Sequence, residues 1–218
     1  MKKILSVMLV ATLTCVSFAA QDWAQFSFYQ KKNEEVKTKP VAVFMGDSIT
    51  FGWAKHCGYF FKENNFIGRG IGGQVTSQML VRLRKDVIDL KPEYAVILAG
   101  TNDIAQNQGY ISVENICGNI ISMVEILKAN NIKPVVCSVL PVKRYPWRKQ
   151  IESIAPISQL NAMLKDYCQK NNVKYVDYYS ALVDSEKGLP KEYAGDGVHP
   201  TVAGFKIMQK IILEALKK

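Results

Sequence analysis

The sequence predicts a three-layer α/β/α sandwich around a central, mainly parallel, five-stranded sheet. Short apolar runs alternate along the chain with amphipathic stretches of helical spacing. The strongest apolar runs are continuous rather than alternating, as strands buried on both faces require. No internal repeat and no linker rich in Gly or Ser interrupts the series, so one domain accounts for all of it. The 218 residues, 48% hydrophobic and 22% charged, suit a single domain of ordinary globular composition.

Residues 1–20 stand apart from the fold. Lys2 and Lys3 precede an uncharged apolar run from Ile4 to Phe18, and Ala19 and Ala20 supply small residues at its exit. This pattern describes a secretory signal peptide, and the run is shorter than the roughly 20 apolar residues that span a bilayer. The mature chain is therefore expected in the periplasm or outside the cell, without stable membrane insertion. Cys15 raises lipid anchoring as an alternative, but Thr14 stands where a small Gly or Ala is expected. Residues 21–39 are polar and Lys-rich, a tether or a peripheral segment on the body. Residues 40–218 form the domain itself.

The first strand is Val41 to Met45, ended by Gly46. A weaker second strand falls around Asn65–Ile71. Thr76 to Leu90 reads as a helix, with Met79, Leu80, Leu83, Val87 and Leu90 at three- and four-residue spacings. Tyr94–Ala99 is the third strand and the most apolar. Ser112 to Asn130 is a helix carrying Ile116, Ile120, Val124 and Leu127 on one face. Pro134–Leu140 is the fourth strand, Ile157–Lys170 a helix, and Val173–Val176 the fifth strand. A last helix runs from about Ala203 to Leu216.

Charge and cysteine usage narrow the chemistry. Lys and Arg number 28 against 19 Asp and Glu, a net +9, and without Lys2 and Lys3 the balance is +7. The cations are dispersed, which describes a solvated surface and no nucleic-acid partner. After export Cys57, Cys117, Cys137 and Cys168 remain, and their three possible pairings stay open. The patterns around Cys117, Cys137 and Cys168 suit small buried side chains. No C-x-x-C occurs and only two histidines are present, which leaves little material for a metal site and disfavours zinc or thioredoxin-like chemistry.

In a parallel sheet the working residues gather beyond the C-terminal strand ends. There the chain reads Gly46-Asp47-Ser48-Ile49-Thr50, then Gly70-Ile71-Gly72-Gly73-Gln74, then Gly100-Thr101-Asn102-Asp103. Just before the last helix comes Asp196-Gly197-Val198-His199-Pro200. Each block alone has the composition of a turn or a cap. Together, and in this order over residues 40–215, they resemble the SGNH hydrolases, also called the GDSL esterase and lipase family. The resemblance implies a flavodoxin-like sandwich and serine ester hydrolysis without a cofactor.

The residues support that chemistry independently. Ester hydrolysis needs a nucleophile, a base, a group that orients the base, and donors for the oxyanion. Ser48 follows a buried strand. His199 supplies an imidazole that can act as base near neutral pH, and Asp196, three residues earlier, can curl back to it. His56 has no carboxylate nearby and belongs on an exposed first helix. The backbone N–H of Ser48, that of Gly73 and the side-chain amide of Asn102 are the expected oxyanion donors. Gly73 is placed by alignment with the family's glycine block, and Gly72 is its immediate neighbour.

Two other motifs are set aside. Gly68 to Gly73 satisfies G-x-G-x-x-G, but it follows the second strand, and Asp86 and Asp89 fall within a helix. Thr50 stands where a G-x-S-x-G elbow needs its final glycine.

The stretch Val142 to Lys149 follows strand four on the active-site side. It reads in two ways: Tyr145, Trp147 and Arg148 shape the pocket for the acyl or leaving group, or the loop is exposed and its aromatics pack back onto the body. Small-molecule or glycan esters are the expected substrates, short-chain and above all O-acetyl. Lysophospholipid, platelet-activating-factor-like or thioester substrates form the alternative within the same chemistry. A flavodoxin-like module that binds a ligand without turnover is the alternative from another class.

Overall fold

The computed structural model describes residues 22–217; the expected signal peptide and Cys15 lie outside the described residues. Five strands, β1 (Ala42–Gly46), β2 (Phe66–Gly70), β3 (Tyr94–Leu98), β4 (Lys133–Cys137) and β5 (Lys174–Val176), form one sheet in the order β2-β1-β3-β4-β5. Every pairing is parallel, with Met45 beside Arg69 on one side and Ile97 on the other. All residues of β1 and β3 are buried, which is why their sequences are apolar without alternation.

Successive residues of each strand feed opposite cores. Val43, Met45, Ala95, Ile97 and Val136 pack against α4 (Thr76–Asp86), α6 (Val113–Ala129) and α7 (Ile154–Lys170). Phe44, Val96, Leu98, Val135 and Val176 face the opposite way. There they meet α2 (Ser48–His56), α3 (Gly58–Glu63), α8 (Tyr178–Leu182) and α9 (Val202–Leu216). Trp53 anchors this second core, stacked on Phe205 at 5.7 Å and on Phe60 at 5.9 Å. Short helices α1 (Gln30–Glu34) and α5 (Thr101–Ile104) complete the order.

Several boundaries differ from the sequence pattern, each for a local reason. Helix α4 stops at Asp86 because Val87 leaves helical geometry, and Ile88–Leu90 is a separate 3-10 turn. Helix α7 begins three residues before its apolar stripe. Pro156 is tolerated in that first turn, where an N–H has no helical partner, and Glu152 accepts the N–H groups of Ile154 and Ala155. Strand β4 ends at Cys137, because the Asn161 side-chain amide takes both backbone groups of Val139, at 2.8 and 3.0 Å.

The segment before β1 lies on the body at the C-terminal end of β2. The buried Tyr29 donates its hydroxyl to the Gly70 carbonyl, and its ring faces the Arg69 guanidinium. Gln74 and Gln78 donate to the carbonyls of Ala24 and Trp23. Cys57, Cys117, Cys137 and Cys168 are all unpaired, the last three buried. Among the described residues no helix is long and apolar enough to cross a membrane.

Candidate active site

The chain leaves β1 at Gly46 and turns at once into α2. Asp47 caps that helix: its carboxylate accepts the Ile49 N–H at 2.8 Å, and its carbonyl accepts the Phe51 N–H. Asp at such a position is the ordinary way to start a helix. It leaves Ser48 as the first helical residue, its N–H without an acceptor inside the helix. Glycine at 70 is required by the neighbouring backbone, since a Cβ there would lie 2.2 Å from the Phe51 nitrogen and 2.5 Å from the Asp47 carbonyl. The loop that follows β2 is thereby held against the start of α2.

That loop turns through Ile71–Gln74, closed by the Gln74 N–H on the Ile71 carbonyl at 3.4 Å. Gly73 takes φ +74°, a left-handed backbone that this position of a turn requires and that glycine adopts without strain. Its Cα faces open space.

The side chains of Ser48, His199 and Asp196 are brought together. Ser48 Oγ lies 2.8 Å from His199 Nε2, and His199 Nδ1 lies 2.7 Å from an Asp196 carboxylate oxygen. The other Asp196 oxygen accepts the backbone N–H groups of Val198 and His199, at 2.9 and 2.8 Å. Gly197, at φ +78°, lets the loop curl enough for all three contacts. Burial acts to raise the Asp196 pKa, but the His199 side chain and these two N–H groups outweigh it, and the net direction is downward. Thr201 then caps α9, which fixes His199 against a rigid helix start. His56 lies exposed at the far end of α2.

Asn102 sits buried in α5, with its Nδ2 on the Gln74 carbonyl at 3.0 Å. The adjacent Asp103 is also buried and accepts the Thr76 N–H at 3.0 Å and its hydroxyl at 2.6 Å. Two ties thus join the glycine loop to the turn after β3. Burial pushes the Asp103 pKa up to about 6 and that of Asp47 up to about 7. Beneath the same loop lies Arg82, wholly buried. It donates to the Gln74 side chain, to the carbonyls of Arg69 and Gly46, and to Asp86 at 2.9 Å. This support joins distant elements, and no local pattern in the sequence announced it.

The loop after β4 requires one correction. Tyr145 does not face a pocket: it is 0% exposed, with its hydroxyl 3.1 Å from the Thr101 hydroxyl. Its ring packs beneath Trp147 at 5.4 Å. An aromatic with one polar atom and a partner for that atom is stable in a core. Trp147 is 42% exposed and lies over the His199 ring, centroids 6.2 Å apart and planes 30° apart. Arg148 is exposed. Among the described residues no group of three His, Cys, Asp or Glu side chains is placed to hold a metal ion.

The family model for GDSL-like lipases and acylhydrolases matches residues 44–207, from the strand before Ser48 to the helix after His199. The chain belongs to that family. A Bacteroides fragilis protein provisionally named an acylhydrolase shares 46% identity and a TM-score of 0.87, over 90% of this chain and 98% of its own. An acetylxylan esterase of Geobacillus stearothermophilus is 24% identical over 160 residues, 69% of this chain and 71% of that protein. A lipoprotein of Bacillus subtilis (strain 168), YqeF, of uncharacterised activity, is 25% identical over 170 residues, 66% and 70% of the two chains. The five-stranded parallel sheet with helices on both faces is shared with the Bacteroides fragilis structure, and hydrolase chemistry is what the family carries out.

Proposed function

We propose that the protein is an exported serine esterase that hydrolyses short-chain carboxylic esters, with O-acetyl groups on carbohydrate as the substrate class. The observation that carries this reading is the unbroken chain from the Ser48 hydroxyl through both His199 nitrogens to the Asp196 carboxylate. Ser48 Oγ attacks the ester carbonyl as His199 Nε2 takes its proton. Asp196 fixes the imidazole so that Nδ1 carries a hydrogen and Nε2 is free to accept. The negative oxygen is received by the N–H groups of Ser48 and Gly73 and by the Asn102 amide. As the tetrahedral intermediate collapses, the C–O bond breaks and His199 returns the proton to the departing alcohol. Water, deprotonated by His199, then attacks the acyl carbonyl, and His199 returns that proton to Ser48 Oγ as its bond to the acyl group breaks and the acid departs.

The openness of the site favours a small acyl group on a bulky alcohol. The side chains of His199 and Asp196 are 41% and 46% exposed, which suits a polymer or oligosaccharide lying across the surface. A long acyl chain gains about 0.8 kcal/mol for each methylene it buries, and such a surface gives it little to bury against. Trp147 offers an exposed aromatic face beside His199 for the leaving group, with Arg148 next to it. The acetylxylan esterase relative points to the same substrate class, and the lipoprotein relative supports export.

Hydrolysis of p-nitrophenyl esters from acetate to long acyl chains, with Ser48→Ala alongside, tests the proposal. Preference for acetate, abolished in the variant, is expected, together with acetate release from acetylated xylooligosaccharides. A mature chain starting near Gln21, read by intact mass after expression with its leader, is expected for export. Preference for long chains would turn the assignment to lipid esters, and equal activity in Ser48→Ala would overturn it.

A further inference from the structure

Asn102 does not stand alone in the site. Its side-chain oxygen accepts the Asn107 Nδ2 at 2.8 Å, and the Asn107 side-chain oxygen in turn accepts the Trp147 indole N–H at 2.9 Å. With the bond from Asn102 Nδ2 to the Gln74 carbonyl at 3.0 Å, these contacts form one directed chain from Trp147 to Asn107, Asn102 and Gln74. Its direction has no freedom. An indole N–H can only donate and a backbone carbonyl can only accept, so both intervening amides are locked in one of their two orientations. The lock leaves Asn102 with one committed amide hydrogen and one uncommitted. Asn107 is itself fixed by its backbone N–H on the Asn102 carbonyl at 3.0 Å, which closes the turn that carries both residues.

We infer that Asn107 is a positioning residue for this esterase, holding the Asn102 amide with its free N–H toward the developing oxyanion, and that Trp147 reinforces from the outer end the polarity that the Gln74 carbonyl imposes from the inner one. The inference rests on the reading of Asn102 as an oxyanion donor. Asn107 touches no reacting atom and acts through Asn102 alone. Trp147 also covers the His199 ring, so one side chain borders the base and reaches the oxyanion donor through a single intermediary.

Substitutions at 107 separate this role from simple support of the fold. Alanine removes the donor to Asn102. Aspartate keeps the shape and the acceptor for Trp147 but sets an oxygen against the Asn102 oxygen, and turning the Asn102 amide to relieve that clash would set its oxygen against the Gln74 carbonyl. Asn107→Asp is therefore expected to be more damaging than Asn107→Ala, the reverse of the order a structural role gives. Asn102→Ala should lower kcat about 10²–10³-fold. For one lost hydrogen bond, Asn107→Ala should lower kcat about tenfold with KM nearly unchanged. Trp147→Phe should do less than either, because the Gln74 carbonyl still orients the chain from its inner end.

The decisive measurement is the cycle of Asn107→Ala, Asn102→Ala and the double variant on p-nitrophenyl acetate, with thermal midpoints recorded. In the Asn102→Ala background the second substitution is expected to change kcat by less than about twofold. If Asn102→Ala itself leaves kcat intact, the oxyanion reading fails and the inference with it. If Asn102→Ala is impaired but the loss at 107 adds in full, or Asn107→Asp outperforms Asn107→Ala, Asn107 only supports the fold and the inference is overturned.

Discussion

At the scale of single residues, the site depends on carboxylates with opposite tendencies. Asp196 is held below the ordinary carboxylate range by the bonds it accepts, against the opposing effect of burial. Asp47 and Asp103 are pushed the other way by burial, to about 7 and about 6. Each of these two binds its proton more tightly folded than unfolded, so its contribution to stability is full below about pH 4 and is lost as pH rises through its folded pKa. Asp196 contributes with the opposite sign, present above its unfolded pKa and lost as pH falls through the lowered one. Replacing Asp103 by Asn isolates one of these contributions. The difference in thermal midpoint, wild type minus variant, is expected to shrink between pH 4.5 and 7.5. A difference that stays constant over that window would show that Asp103 titrates as an ordinary surface carboxylate.

At the scale of elements, the site is where three strand ends and one helix start are tied to each other. Glycine at position 70 lets β2 touch the first turn of α2, and the Asp103–Thr76 bonds join α4 to α5. Arg82 completes the assembly by gathering the last carbonyl of β1, a carbonyl of β2 and the Gln74 side chain. Its pairing with Asp86 is buried on both sides, 0% and 2% exposed. Removing one partner of such a pair strands the other charge, at a cost of about 3–5 kcal/mol. Arg82→Met should therefore lose that much in denaturant unfolding, and adding Asp86→Asn should restore part of it. A loss within about 0.5 kcal/mol, the range of ordinary surface substitutions, would contradict this account of Arg82.

At the scale of the whole molecule, the sheet order β2-β1-β3-β4-β5 puts the ends of β1, β2 and β3 side by side. Blocks far apart in sequence thus share one rim. Strands buried on both faces leave continuous apolar runs, so the sheet was legible, and so were the blocks that end its strands. The support of the site was less legible, because it depends on pairs that only the fold brings together. Asn107 and Trp147 are 40 residues apart and Ser48 and His199 are 151 apart, yet only the second pair lies in recognisable motifs. Tyr145 and Trp147 have equal apolar character in sequence. Their opposite burial follows from the Thr101 hydroxyl that receives one and the surface above His199 that receives the other.

The role proposed for His199 and Asp196 is to activate Ser48 as a nucleophile. Labelling with a fluorophosphonate, followed by intact mass and peptide mapping, tests it most directly because the probe reports an activated hydroxyl whatever the natural ester is. A single adduct on Ser48 is expected, absent in Ser48→Ala and formed about 10⁴ times more slowly in Asp196→Asn. An adduct on another residue, or labelling of Asp196→Asn at the wild-type rate, would contradict it.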